Sequence, residues 1–161
     1  MTLELTFIVL GWSMAISSGL MAGTYFTFSF VVMPSLSLLE DHKGAEAMNS
    51  INRKIVQTSF MPLFFGSTLI ALLMIVVGIW HWGTTGAERA LFGGLAYLLG
   101  MFVVTAVRNV PLNNELDQAE LDPERLPFIW RKYLKDWTFW NSIRAIACVV
   151  SMILTIDLIA L

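Results

Sequence analysis

A single cysteine, Cys148, stands in the 161 residues. That excludes an intramolecular disulfide and a thiolate-held metal cluster. Histidine is nearly as scarce. His42 and His81 are the only two, and they fall in separate polar segments on opposite sides of an apolar run. Asp, Glu, Lys and Arg make up 14% of the chain, where a soluble domain carries about 25%. Net charge is −2, and no basic stripe interrupts the pattern, so no nucleic-acid partner is expected. No strand pattern precedes a glycine-rich loop, which removes the common nucleotide motifs. With so few ligand-forming side chains, neither a metal nor another cofactor is expected.

What fills the chain is hydrocarbon. Hydrophobic residues are 57% of it, and the mean hydropathy is +0.70. The apolar runs are long enough to cross a bilayer. We read an all-α, four-helix transmembrane bundle forming one integral membrane domain, 1–161, with spans at roughly 5–33, 55–80, 90–108 and 129–160. The lipid bilayer is then its first partner. The first run exceeds a signal-peptide core and has no basic segment before it, so it reads as a retained span.

The spans carry distinct markings. Gly11, Ala15, Gly19 and Gly23 recur every fourth residue, a seam that lets another helix approach closely. Tyr25, Phe26, Phe28 and Phe30, with Ser29 among them, precede Met33-Pro34, where the first span is expected to end. A short helix is expected over 45–52 in the polar connection that follows. Pro62 inside the second span predicts a kink, and Trp80, His81 and Trp82 mark its far interface. The third span ends on Thr105-Ala-Val-Arg-Asn-Val-Pro-Leu-Asn-Asn114, where Pro111 predicts a helix stop. In the last span Trp130, Tyr133, Trp137, Trp140, Asn141 and Arg144 recur at helical spacing and are expected on one face. The apolar run 145–161 reaches only about 25 Å, short of the ~30 Å hydrocarbon core. Asn141 and Arg144 therefore belong at the interface or slightly inside it.

Four spans place nine of the ten Lys and Arg residues on one side, with only Arg89 on the other. The positive-inside rule makes the basic side cytoplasmic and puts both termini on the non-cytoplasmic side. All four spans also bring polar groups to that end: Tyr25 and Ser29, Asn52 and Arg53, Arg108, Asn109 and Asn113, then Asn141 and Arg144. Two readings of this convergence stay open. Such residues anchor and cap helix ends, and ionisable groups at membrane depth also mark ligand sites.

The segments Gly19–Ser29 with Met33-Pro34, Met48–Arg53, Arg108–Asn113, Trp130–Tyr133 and Trp137–Arg144 occur in an order that resembles the anthrone oxygenase-like family of small membrane proteins. The resemblance implies a four-helix membrane fold. It also implies, from some fungal members, oxidation of an anthrone to an anthraquinone. The family's last motif commonly has histidine directly after its Trp-Asn pair; here the residue is Ser142.

An oxygenase of that kind would hold a flat phenolic polycycle in a dry slot and stabilise its anion. The candidate catalytic set is Arg108, Asn109, Asn141 and Arg144. The candidate substrate-binding set is Tyr25, Phe28, Ser29, Asn52, Arg53, Asn113, Trp137 and Trp140. Asp136 or a water is left as the base. The competing expectation is a non-enzymatic membrane protein that binds lipid, a quinone or an anionic small molecule. Four spans are few for a transporter unless the chain forms a homo-oligomer, and that state is left open.

Overall fold

The computed structural model describes residues 2–161, and among these there are helices and turns but no strands. Four helices are long and apolar enough to span a membrane: α1 (Leu3–Leu36), α3 (Phe60–Trp80), α4 (Ala87–Ala119) and α5 (Leu126–Ile159). Between the first two lies the amphipathic α2 (Asp41–Ile55). The outward faces are apolar, with Ile16, Leu69 and Ile153 each more than half exposed. Only lipid solvates such a surface without penalty, and the chain is a multi-pass membrane protein.

Helix lengths set the architecture. The 21 residues of α3 match the ~30 Å hydrocarbon core. The 33 or 34 residues of α1, α4 and α5 reach about 50 Å, so these helices project beyond one bilayer face. The projecting ends build a second core with α2, formed by Met33, Met48, Leu116, Trp130 and Tyr133 among others. The first core runs through the spans and includes Met14, Met21, Met74, Tyr97 and Met101. A Cβ on Gly44 of α2 would lie 2.8 Å from the Trp130 ring, so only glycine lets α2 sit this close to α5.

The seam expected on α1 is partly used. Gly11 and Ala15 are buried, and a Cβ on Gly11 would meet Ile159 at 2.8 Å. Gly23 is exposed, and a Cβ there would meet nothing within 4 Å.

Three expectations about proline are corrected. Pro34 does not end α1, and Pro111 does not end α4, which continues to Ala119. A π turn precedes each proline, at Phe28–Val32 and at Thr105–Asn109. The Met33 and Val110 N–H groups donate five residues back, to the Phe28 and Thr105 carbonyls. A proline ring lacks an N–H and collides with the carbonyl four residues earlier; widening the preceding turn moves that carbonyl aside. The helices carrying the third and first spans consequently run past 108 and 33, and the residues after Arg108 are helix rather than connection. Pro62 is the third residue of α3, where its missing N–H leaves no helical bond unmade, so it is not a mid-helix kink. The short helix expected over 45–52 is the longer α2, and the second span starts five residues later than 55 as a result.

Candidate functional site

At the junction of the two cores lies a cavity of about 330 Å³. Its walls are apolar and aromatic: Phe28 from α1, Met48 from α2, Phe64 from α3, Phe102 from α4 and Trp137 from α5. The Trp137 ring is the inner end of a stack along one face of α5. It lies 5.6 Å from Tyr133 with an interplanar angle of 19°, and Tyr133 lies 5.9 Å from Trp130 at 16°. The i, i+3 and i+4 spacing of 130, 133 and 137 dictates this alignment. Val56, Phe65, Ala106 and Val110 line the cavity and are also exposed, so it opens sideways between the start of α3 and α4 through an apolar rim.

Arg144 gives the cavity its chemistry. The residue is only 6% exposed and lines the cavity. Nη2 donates to Asn141 Oδ1 at 2.6 Å and Nη1 donates to Thr105 Oγ1 at 3.2 Å. Its Cζ lies 4.2 Å from the Tyr25 ring centre and 5.4 Å from that of Trp137. Nε has no partner. Among the described residues no carboxylate pairs with it, and no Asp, Glu or His lines the cavity. A guanidinium keeps its proton in proteins. A buried cation held by neutral oxygens and ring faces alone has no opposite charge to compensate it.

Asn141 holds that arrangement in place. It is fully buried, and its Nδ2 donates to the Tyr25 carbonyl and to Ser29 Oγ, each at 2.7 Å. It therefore ties α5 to α1 at the entry of the first π turn while its carbonyl receives Arg144. Ser29 also shares a 2.9 Å hydrogen bond with Ser142, the residue at the family's histidine position. The π turn before Pro111 acts in the same way. It ends on Asn109, which is buried and donates to the Trp137 carbonyl at 3.2 Å.

At the opposite end of the cavity stand Asn52 and Asn113. Asn52 Nδ2 donates to the Tyr133 hydroxyl at 3.4 Å, and that hydroxyl donates to Asn113 Oδ1 at 2.8 Å. Both amides keep further hydrogen-bonding capacity toward the cavity.

Of the sequence candidates, Tyr25, Phe28, Asn52, Asn113, Trp137, Asn141 and Arg144 line one cavity. Ser29 and Asn109 lie behind it as buried supports. Arg53, Arg108 and Trp140 are elsewhere. Arg108 is exposed, with its guanidinium 4.7 Å over the half-buried Trp140, so the expectation that Trp140 shares the buried face is corrected. Arg53 is exposed and paired with Asp117 at 2.8 Å and Glu120 at 2.5 Å. The hydrogen bonds it donates to those two carboxylates hold its guanidinium above its usual pKa. Asp136 does not line the cavity. Sequence reasoning missed Thr105, Tyr133, Phe64 and Phe102 as members of the site. Tyr133 was signalled by its spacing to Trp137, and Thr105 by a hydroxyl within an apolar span. The two phenylalanines carry no sequence signal apart from ordinary core.

Among the described residues, no three His, Cys, Asp or Glu side chains come together as a metal site. No curated protein and no solved structure matches the chain. The sequence model of the anthrone oxygenase family matches residues 54–154, which spans α3, α4 and most of α5. That stretch carries Phe64, Thr105, Asn113, Trp137, Asn141 and Arg144 of the cavity, and the chain belongs to the anthrone oxygenase family.

Proposed function

We propose that the cavity binds an anthrone-like or phenolic polycyclic molecule as its anion and supports its oxidation by dioxygen. One observation carries the reading: Arg144 is a buried guanidinium without a carboxylate partner in an aromatic-walled cavity. Family membership supports the same chemistry. The anthrone methylene carbon releases a proton to water, and Arg144 stabilises the resulting oxyanion with charge-assisted hydrogen bonds. The anion passes one electron to dioxygen, the radical pair combines as a peroxide anion on that carbon, and the proton released earlier returns from water to give the hydroperoxide. Loss of water leaves the new carbonyl, so one oxygen atom enters the quinone and the other leaves as water. Phe28, Phe64, Phe102 and Trp137 hold the ring system away from bulk water. The distribution of nine of ten Lys and Arg residues supports a cytoplasmic basic end and non-cytoplasmic termini.

A second reading, binding without turnover, is favoured by the lining itself. It offers no Asp, Glu or His as a general base, and Ser142 stands at the family's histidine position. Oxygen uptake and quinone absorbance with a dihydroxyanthrone separate the two. Proteoliposomes are expected to exceed the spontaneous rate of protein-free vesicles, and Arg144→Met to fall back to it. Turnover that survives Arg144→Met refutes the proposed role. Wild-type protein that binds the anthrone anion but does not exceed the spontaneous rate is a binder.

A further inference from the structure

The seam between α3 and α4 is closed along one half and open along the other. Gly78 and Gly94 let the two backbones touch in the half away from the cavity. A Cβ at these positions would lie 2.7 Å from the Ala87 carbonyl oxygen and 2.6 Å from that of Ala71. In the other half the Phe64 and Phe102 rings stand 5.6 Å apart, and the cavity opens beside them through Val56, Phe65, Ala106 and Val110. The depth of this opening follows from α3, which spans the hydrocarbon from Phe60. Phe65 lies about 7.5 Å inside that boundary at 1.5 Å per residue, and Val56 precedes it. The opening therefore straddles the junction of hydrocarbon and headgroups. Arg144 is on the same level, since Thr105, which accepts from its Nη1, adjoins the rim residue Ala106.

We propose that the cavity takes the head of a long-chain fatty acid from the bilayer, with the carboxylate on Arg144 and the far part of the chain leaving through the α3–α4 opening. This rests on the reading of Arg144 as an anion site and is independent of any turnover. A guanidinium carries five N–H groups, and the Asn141 and Thr105 oxygens take only two of them. A planar carboxylate matches the remaining donors in the paired geometry these groups favour. Room sets how much of the chain is held. A water-sized group fills about 30 Å³, so the cavity of about 330 Å³ encloses the carboxylate and about eight methylenes. A longer chain must extend outside. The opening is apolar and leads into hydrocarbon, so the remaining methylenes leave there without meeting water. The end at Asn52 and Asn113 does not receive the chain, because an apolar group there would leave amide groups unpaired. A phospholipid matches less well. Its phosphate lies between a headgroup and two chains, and the four rim residues offer the headgroup no polar side chain.

The test uses the full chain in phosphatidylcholine nanodiscs. A carboxylated anthracene, read by quenching of tryptophan fluorescence, reports occupancy of the cavity. Hexadecanoate, its methyl ester and phosphatidylglycerol are compared as competitors by their mole fraction in the bilayer. Hexadecanoate is expected to displace the anthracene at a concentration about tenfold or more below that of the ester, the worth of one charge-assisted hydrogen bond. It is also expected to raise the unfolding midpoint of the wild type and not that of Arg144→Met, since a ligand stabilises only the folded chain that binds it. Ala106→Phe narrows the opening. It is expected to weaken hexadecanoate about fivefold or more by crowding the emerging chain. Octanoate, which the cavity encloses whole, is expected to stay within about twofold in that variant and so certifies the fold. Equal displacement by acid and ester overturns the proposal, and this comparison needs no variant. Displacement by phosphatidylglycerol as strong as by hexadecanoate overturns it too, as does hexadecanoate affinity untouched by Ala106→Phe. If the carboxylated anthracene binds more tightly than a neutral methylanthracene but hexadecanoate does not displace it, the anion site stands and the fatty-acid proposal falls. If the two anthracenes bind equally, the Arg144 reading itself fails, and the fatty-acid proposal fails with it.

Discussion

Replacing Arg144 by methionine tests whether this cation serves the fold or a ligand. The substitution keeps an unbranched apolar stem of similar reach and removes only the charged head. The losses can be listed from the structure: two charge-assisted hydrogen bonds, to Asn141 Oδ1 and Thr105 Oγ1, and two ring contacts, with Tyr25 and Trp137. Gross values are about 1.5–3 kcal/mol for each hydrogen bond and about 1–2 kcal/mol for the ring contacts together. Against these stands the cost of holding a guanidinium out of water without a carboxylate, effectively several kcal/mol. The two sides are of equal order. Arg144→Met is therefore expected to fold with an unfolding midpoint in nanodiscs close to that of the wild type. Ligand binding has no such offset. Losing one charge-assisted contact to an anion costs about 1.5–3 kcal/mol, so Kd for the carboxylated anthracene is expected to rise ten- to a hundredfold. Thermal unfolding followed by circular dichroism and fluorescence titration measure the two quantities on one sample. A variant that unfolds, or that binds the anion as well as the wild type, refutes the reasoning. The first outcome makes the guanidinium a structural keystone, and the second removes it from the site.

Other consequences follow from the same geometry. Arg108→Ala is expected to leave anion affinity within twofold, because Arg108 lies outside over Trp140; a tenfold loss in the same titration would place it in the site. Asn141→Leu removes two donated bonds and one accepted bond from a fully buried position, and a loss of about 2–4 kcal/mol of stability is expected by denaturant titration. Little change there would mean that α1 and α5 do not rely on this link. Ala106→Phe fills part of the sideways opening between α3 and α4. In stopped-flow quenching it is expected to slow both uptake and release of a membrane-dissolved anthracene with Kd nearly unchanged, and unaltered rates would assign entry to another route. Arg53→Ala breaks an exposed pair and is expected to leave the unfolding midpoint nearly unchanged, as surface ion pairs usually contribute little.

The four spans were legible because hydrocarbon length and composition decide them. The face of α5 was legible because 130, 133, 137, 141 and 144 repeat at helical spacing, and all five are buried. The helix ends were not, for one local reason. Proline is read as a stop by a rule built on regular α-helix, and a π turn before it removes the collision on which the rule rests. Ranking Arg108 with Arg144 fails for a related reason. Both lie well inside a long helix, and composition cannot tell which turns inward. One residue changes the facing direction by about 100°, so in α4 Asn109 is buried against the α5 backbone while its neighbour Arg108 lies exposed over Trp140.

The two π turns that precede prolines then explain why the site lies where it does. Each stands at the boundary between the membrane-spanning core and the projecting core, and each is tied to α5 by an asparagine: Asn141 reaches across to the Tyr25 carbonyl, and Asn109 reaches across to the Trp137 carbonyl. The first tie sets Tyr25 under Arg144, and the second holds α4 against the Trp137 end of the aromatic stack. A regular helix at Thr105–Asn109 would turn every later side chain of α4 by about 100° relative to those before it, and Asn113 away from the cavity. The prolines thus do more than tolerate the wide turns. By removing the donor that would restore regular bonding, Pro34 and Pro111 keep the register in which the guanidinium has neutral oxygens on one side and open aromatic space on the other. On this argument Pro111→Ala relaxes the second π turn without removing any group from the site. It is expected to weaken anion binding although residue 111 does not line the cavity. Affinity unchanged in that variant would show that side-chain ties alone hold the register.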